Sequence, residues 1–323
     1  MRIVIPDDYQ NAVRGLACFS KLAEHDVTVF TDTVRETGAL VERFEAAEAL
    51  VLIRERTPIR DELLARLPRL KLISQTGKGT SHIDVAACTR RGIVVAAGTG
   101  SPYATAELTW ALVLASRRHI PYETARLRAG HWQSTLGLGL RGRTLGIWGY
   151  GKIGSVVAGY GRAFGMNVIV WGREGSQSRA QADGYAVAAD RNALFEQSDA
   201  LSLHIKLSKE TRGLVTASDL ARMKEDALLV NTSRAELIEP GALEAALRKG
   251  RPGFAAVDVY EEEPILGAAH PLLAMDNAVC TPHLGYVEKD GYELYFGQAF
   301  DQVLAFAAGN PIRVVNPEVL DEL

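Results

Sequence analysis

Cysteine is scarce in this chain, with only Cys18, Cys88 and Cys280 among 323 residues. An odd count without C-x-x-C or Cys/His ligand spacing excludes a disulfide-stapled scaffold and a structural zinc site, so no metal is expected. Each thiol is read as a small buried apolar group rather than a nucleophile. Long apolar runs are missing too. The N-terminal run ends at Pro6 and two aspartates, too short for a signal-peptide core, and no stretch is long enough to span a bilayer. A cytoplasmic protein is expected. Excess charge of either sign is also absent: the net charge is -3 and the pI near 6.2, which provides no basic field for nucleic acid or an anionic membrane. A small-molecule partner is the remaining expectation.

What is present is ordinary globular material, 47% hydrophobic and 23% charged, in a length that suits two domains. Short β-branched runs alternate with amphipathic stretches, the sequence form of βαβ units and a parallel sheet. A first block has strand candidates at Arg2–Ile5, Val27–Phe30, Ala49–Ile53, Leu70–Ser74 and Ile93–Val95, with a helical segment at Arg60–Arg66. A long helix is expected from Ala104 to Arg118, followed by a polar stretch to Arg141 that reads as an arm. The second block has six strand candidates, at Thr144–Trp148, Asn167–Trp171, Asp199–His204, Ala227–Thr232, Ala255–Val259 and Ala278–Thr281. Six is the number a dinucleotide fold needs. A last helix is expected from Tyr286 to about Ala308. The fold class is therefore α/β, with two doubly wound parallel-sheet domains.

Between the strand ending at Trp148 and a helical run lies Gly149-Tyr150-Gly151-Lys152-Ile153-Gly154, a G-x-G-x-x-G. The first glycine serves a tight turn, the second admits a pyrophosphate to backbone N–H groups, and the third packs helix on strand. Gly149, Gly151, Lys152, Ile153 and Gly154 are thus candidate cofactor contacts. The next strand ends where an NAD-specific fold places an acid, but Gly172 and Arg173 stand there, with Arg179 shortly after. A guanidinium in place of a carboxylate tolerates a 2′-phosphate, so NADP is expected over NAD. A shifted register in which Glu174 plays the missing acid stays open.

Residues just past the carboxyl ends of parallel strands face one crevice. Arg234, Glu263 and His283 each follow a strand of the second block, and a guanidinium, a carboxylate and an imidazole beside a nicotinamide are what keto-acid reduction requires. The imidazole donates a proton as hydride arrives, the carboxylate favours the imidazolium, and the cation holds the substrate carboxylate. In the first block, Arg54 ends an apolar strand, and Gly77, Lys78 and Gly79 offer backbone N–H groups and a cation. These four are substrate-binding candidates that favour a second anionic or polar group on the substrate.

The segments Val230-Asn-Thr-Ser-Arg234, Val257-Asp-Val-Tyr-Glu-Glu-Glu-Pro264 and Thr281-Pro-His-Leu-Gly285 resemble those of the D-isomer-specific 2-hydroxyacid dehydrogenases, a family that includes D-3-phosphoglycerate dehydrogenases and glyoxylate/hydroxypyruvate reductases. The resemblance covers nearly the whole chain. It implies that Arg234 binds substrate, that Glu263 and His283 form the proton-transfer pair, and that Asp258 lies near the nicotinamide carboxamide, with Thr232 and His204 also at the cofactor. Thr76–Asp84 is similar to the family's substrate loop and Arg128–Trp132 to its arm. Lys206 departs from the family, which commonly has proline there. The resemblance further implies a cofactor domain (101–285) inserted in a flavodoxin-like substrate domain (1–100 plus 286–323), and a homodimer formed through about 102–140, with Trp132 as a candidate contact. A glyoxylate/hydroxypyruvate-type substrate is favoured. The alternatives are D-3-phosphoglycerate dehydrogenase and a dinucleotide-sensing, corepressor-like binding protein. Formate dehydrogenase-like chemistry is disfavoured, because that branch carries glutamine at the position of Glu263.

Overall fold

Aliphatic runs too short to bury themselves pair into two separate parallel sheets in the computed structural model, which describes residues 1–322. Two units result: residues 1–101 with the chain from Glu288 onward, and Pro102–Val287 between them.

In the first unit, β1 (Arg2–Ile5), β2 (Asp26–Val29), β3 (Ala49–Leu52), β4 (Leu72–Gln75) and β5 (Val94–Ala97) form a sheet in the order β2-β1-β3-β4-β5. That is the flavodoxin-like order. Every residue of β3 and β4 is buried, as expected for central strands covered on both faces. The helix Lys289–Ala307 packs Phe296 and Phe300 inward, and the Ser74 hydroxyl donates to the Ala299 carbonyl at 2.9 Å. This helix starts three residues later than Tyr286, where the sequence pattern placed it. The Glu288 carboxylate accepts from the N–H groups of Asp290 and Gly291, which fixes the N-terminus there.

The second unit holds β6 (Thr144–Trp148), β7 (Asn167–Trp171), β8 (Ala186–Val187), β9 (Ala200–Leu203), β10 (Leu228–Asn231), β11 (Phe254–Val257) and β12 (Ala278–Cys280). Their order, β12-β11-β10-β9-β6-β7-β8, is the dinucleotide-fold order with one further strand. The strand the sequence did not reveal is β8; two residues are too few to display alternation. The helix Tyr103–Arg117 is a core element, with Ala106, Trp110 and Val113 buried and the Arg117 guanidinium donating to the carbonyls of Asp199 and Asp226.

The polar stretch expected after Arg118 contains a second helix, Ile120–Arg128, with Pro121 in its first turn and no buried residue. Trp132 and Leu136 beyond it are 78% and 93% exposed, so Trp132 is not a core residue of this unit. No helix among the described residues is long and apolar enough to cross a membrane.

Candidate active site

The turn after β6 requires glycine at two of its three glycine positions. Gly149 has φ +101, and a Cβ there would lie 2.6 Å from the His204 carbonyl oxygen; a Cβ on Gly154 would run into the Gly149 carbonyl. Gly151 differs, because a Cβ on it would meet nothing within 4 Å. It opens onto a hollow of about 860 Å³ lined by Gly149, Gly172, Arg173, Arg179 and His204. This hollow lies beside the β6/β9 reversal of strand order, where doubly wound sheets bind ligands. Gly151 is also the N-cap of the helix Lys152–Ala163 and supplies no side-chain cap, so the first-turn N–H groups, Lys152 and Ile153 included, have no side-chain acceptor. An open cradle at an uncapped helix N-terminus fits a pyrophosphate.

Farther along this hollow, Arg173 is the N-cap of the helix Glu174–Ala182 and Arg179 donates to the Tyr150 carbonyl at 3.1 Å. Glu174 is not among the residues lining it. The Tyr150 N–H donates to the Ser176 hydroxyl at 2.7 Å, a contact that sequence reasoning missed. At the strand end, burial pushes the His204 imidazole down to about 4, which keeps it neutral, and its Nε2 lies 2.9 Å from the Ser202 hydroxyl. The Thr232 hydroxyl is engaged with that of Thr109 at 2.7 Å. Lys206, the departure from the family pattern, ends in a loop closed by the Thr211 hydroxyl, which donates to the Lys206 carbonyl.

Beyond β10, β11 and β12 the chain brings Glu263 and His283 together, with His283 Nδ1 2.6 Å from Glu263 Oε2. The other carboxylate oxygen accepts from the Tyr260 N–H at 2.9 Å. Burial raises the Glu263 pKa, but the bond and charge of His283, the Tyr260 N–H and the nearby Arg234 outweigh it, and the net shift is downward. Glu263 is therefore ionised beside the imidazole. Arg234 follows β10 in a loop held by Asn231, whose Oδ1 accepts from the Ser233 N–H and whose Nδ2 donates to the Arg234 carbonyl.

Asp258 is fully buried and accepts from the Thr281 hydroxyl and from the N–H groups of Leu284 and Gly285, at 2.6, 2.7 and 2.8 Å. These bonds clamp the segment that carries His283, which itself has φ +52. Tyr260 adds a second tie, its hydroxyl donating to the Thr281 carbonyl at 3.0 Å. Neither clamp is visible in sequence, because both depend on strand register.

In the first unit, Arg54 has φ +56, its N–H donates to the Thr76 hydroxyl, and its guanidinium lies 5.7 Å from the centre of the Tyr295 ring. A Cβ on Gly77 would meet that guanidinium and a Cβ on Gly79 the Glu55 carboxylate, both ends of flexible side chains that can swing aside. Arg54 and Gly77 are thus brought together, while Lys78 is exposed. His82 in the same loop is buried with neither ring nitrogen hydrogen-bonded. Among the described residues, no group of three or more His, Cys, Asp or Glu side chains could hold a metal ion.

The family model described as D-isomer specific 2-hydroxyacid dehydrogenase, NAD binding domain, matches residues 110–285. A glyoxylate reductase from Aeropyrum pernix is 40% identical over 296 residues, 87% of this chain and 86% of that protein. A D-3-phosphoglycerate dehydrogenase from Methanocaldococcus jannaschii is 38% identical over 80% of this chain, which spans only 49% of that protein. The crystal structure of an oxidoreductase from Ralstonia solanacearum superposes with a TM-score of 0.97 at 56% identity, covering 99% of this chain and 98% of that one. With two all-parallel α/β units, a glycine cradle for a dinucleotide and a carboxylate–imidazole pair beyond the strand ends, the chain belongs to the D-isomer-specific 2-hydroxyacid dehydrogenases, NAD-dependent oxidoreductases of 2-hydroxy and 2-keto acids.

Proposed function

We propose that this chain reduces a small 2-keto acid of the glyoxylate or hydroxypyruvate type to its D-2-hydroxy acid, with NADPH as the preferred donor. The observation that carries the reading is the 2.6 Å contact between His283 and Glu263. Reduction of a carbonyl needs one proton delivered to oxygen. His283 supplies it, Glu263 orients the imidazole, and Arg234 grips the substrate carboxylate with its two-pronged guanidinium. A bound nicotinamide supplies the hydride. The cradle residues Gly149, Gly151, Lys152, Ile153 and Gly154 hold the pyrophosphate, while His204, Thr232 and Asp258 support the nicotinamide end. Arg173, lining the hollow where an NAD-specific fold has a carboxylate, pairs with the 2′-phosphate.

Arg54, Gly77, Lys78 and Gly79 are the substrate-binding candidates of the first unit. The exposed Lys78 and the Arg54 guanidinium favour a substrate with a second polar or anionic group, which keeps D-3-phosphoglycerate chemistry as the second reading. The exposed Leu127, Trp132 and Leu136 of the arm favour a homodimer, and three free cysteines suit a reducing cytoplasm.

A panel of 2-keto acids assayed with NADH and NADPH tests the proposal. Glyoxylate and hydroxypyruvate should be reduced with higher kcat/KM than pyruvate, and NADPH should outperform NADH. Dinucleotide binding without turnover of any keto acid would favour a sensor instead, and turnover confined to the phosphorylated acid would favour the second reading.

A further inference from the structure

A second hollow of the Pro102–Val287 unit, about 520 Å³, is separate from the dinucleotide cradle. Its floor is apolar, built by Ile238, Leu243, Val257, Val259, Ile265 and Leu272. Its rim carries four carboxylates, Glu239, Glu244, Glu261 and Glu262, and none of the described residues lining it is a lysine or an arginine. Three of the four already have partners: Glu239 accepts from the Ala217 N–H at 3.1 Å, Glu244 pairs with Arg248 at 2.8 Å and Glu261 meets His270. Glu261 and Glu262 are exposed at the mouth, and Glu261 lies 3.2 Å from His270. One sign of charge around an apolar floor complements a cationic head on an apolar body.

The walls of this hollow are the backs of the two catalytic loops. Ala235 and Ile238 come from the segment after Arg234, while Val259, Pro264 and Ile265 flank Glu263. His270, also in the lining, meets the Tyr260 ring edge-on with ring centres 5.0 Å apart, and the Tyr260 N–H holds Glu263. We propose that this hollow binds a primary ammonium carried on an apolar chain, and that its occupancy alters the reaction through the Tyr260–Ile265 segment. Glu261 and Glu262 face the ammonium, and the chain displaces water from the floor.

The test is calorimetric titration of the full chain, loaded with NADPH, with hexylammonium, hexanoate and hexan-1-ol as probes, followed by the KM for the best keto acid over the same concentration range. Hexylammonium should bind saturably and the other two should not. The double substitution Glu261→Gln/Glu262→Gln should weaken binding about fivefold or more, the scale of two partly exposed charge pairs. The KM should change in the native enzyme and respond less in the double variant. Equal binding of hexan-1-ol, binding indifferent to the double substitution, or a KM untouched at saturation would each overturn the proposal.

Discussion

His283 and Glu263 are twenty residues apart in sequence, yet His283 Nδ1 stands 2.6 Å from Glu263 Oε2 because β11 and β12 are neighbours in register and end together. Three hydrogen bonds to Asp258 and one from Tyr260 fix the histidine's segment against the carboxylate's. The pair is thus held by the chain's own hydrogen bonds, the preorganisation that proton transfer needs.

Replacing Glu263 by Gln removes the carboxylate that holds His283 Nδ1 at 2.6 Å. Reduction by Glu263→Gln should therefore lose about tenfold or more in kcat, with cofactor affinity unchanged. A parental kcat in this variant would remove Glu263 from the proton step.

Arg234→Lys keeps the charge but not the planar fork. An ammonium cannot bind a carboxylate at two points, so KM for the keto acid should rise as kcat falls. Steady-state kinetics with NADPH near saturation would show it, and parental constants would argue against carboxylate binding at this position.

Cofactor choice is best probed at Arg173. A charge-assisted hydrogen bond contributes about 1.5–3 kcal/mol, so Arg173→Ala should lose roughly tenfold or more of any NADPH preference while sparing NADH. Gly172→Asp is a poorer probe, since Gly172 has φ +158 and a Cβ there would lie 3.2 Å from Ser176. Equal loss with both cofactors in Arg173→Ala would contradict a 2′-phosphate contact.

One buried histidine, His82, and one half-buried histidine, His204, give stability a pH dependence. His82 and His204 are each pushed down to about 4 by burial, against an ordinary value of 6.5. Between those values the unfolded chain binds protons that the native chain refuses. Stability is full above pH 6.5 and falls as pH drops to about 4, by roughly 3 kcal/mol per histidine. His82→Leu should keep Tm near parental at pH 8, since neither ring nitrogen is hydrogen-bonded, and abolish about half of the decline below 6.5. An unchanged decline in the variant would show that His82 takes up its proton in the native state.

Legibility in the sequence followed the strength of the local signal. The β6 turn was readable because a strand, a glycine spacing and a helix coincide within a few residues. Glu263 and His283 could be expected side by side because strand ends in a parallel sheet share an edge. The strand β8 and the helix Ile120–Arg128 were not: one has two residues, and the other buries none of its side chains, so neither displays periodicity. Asp258 was read from resemblance as a cofactor neighbour. Its three hydrogen bonds to residues 281–285 arise from register between β11 and β12, which no single segment encodes. Likewise, His82 gives no sign of burial, since it stands between the polar Ser81 and a single apolar Ile83 that sets no period.

The measurement that bears most directly on the account is the rate of keto-acid reduction by His283→Ala, taken with fluorescence titration of the cofactor. Loss of a positioned proton donor should lower kcat about 10²–10⁴-fold, while cofactor affinity stays within about twofold of the parent, because the glycine cradle at Gly149–Gly154 is untouched. Reduction at near-parental rate by this variant would contradict the assignment of His283 as the proton donor.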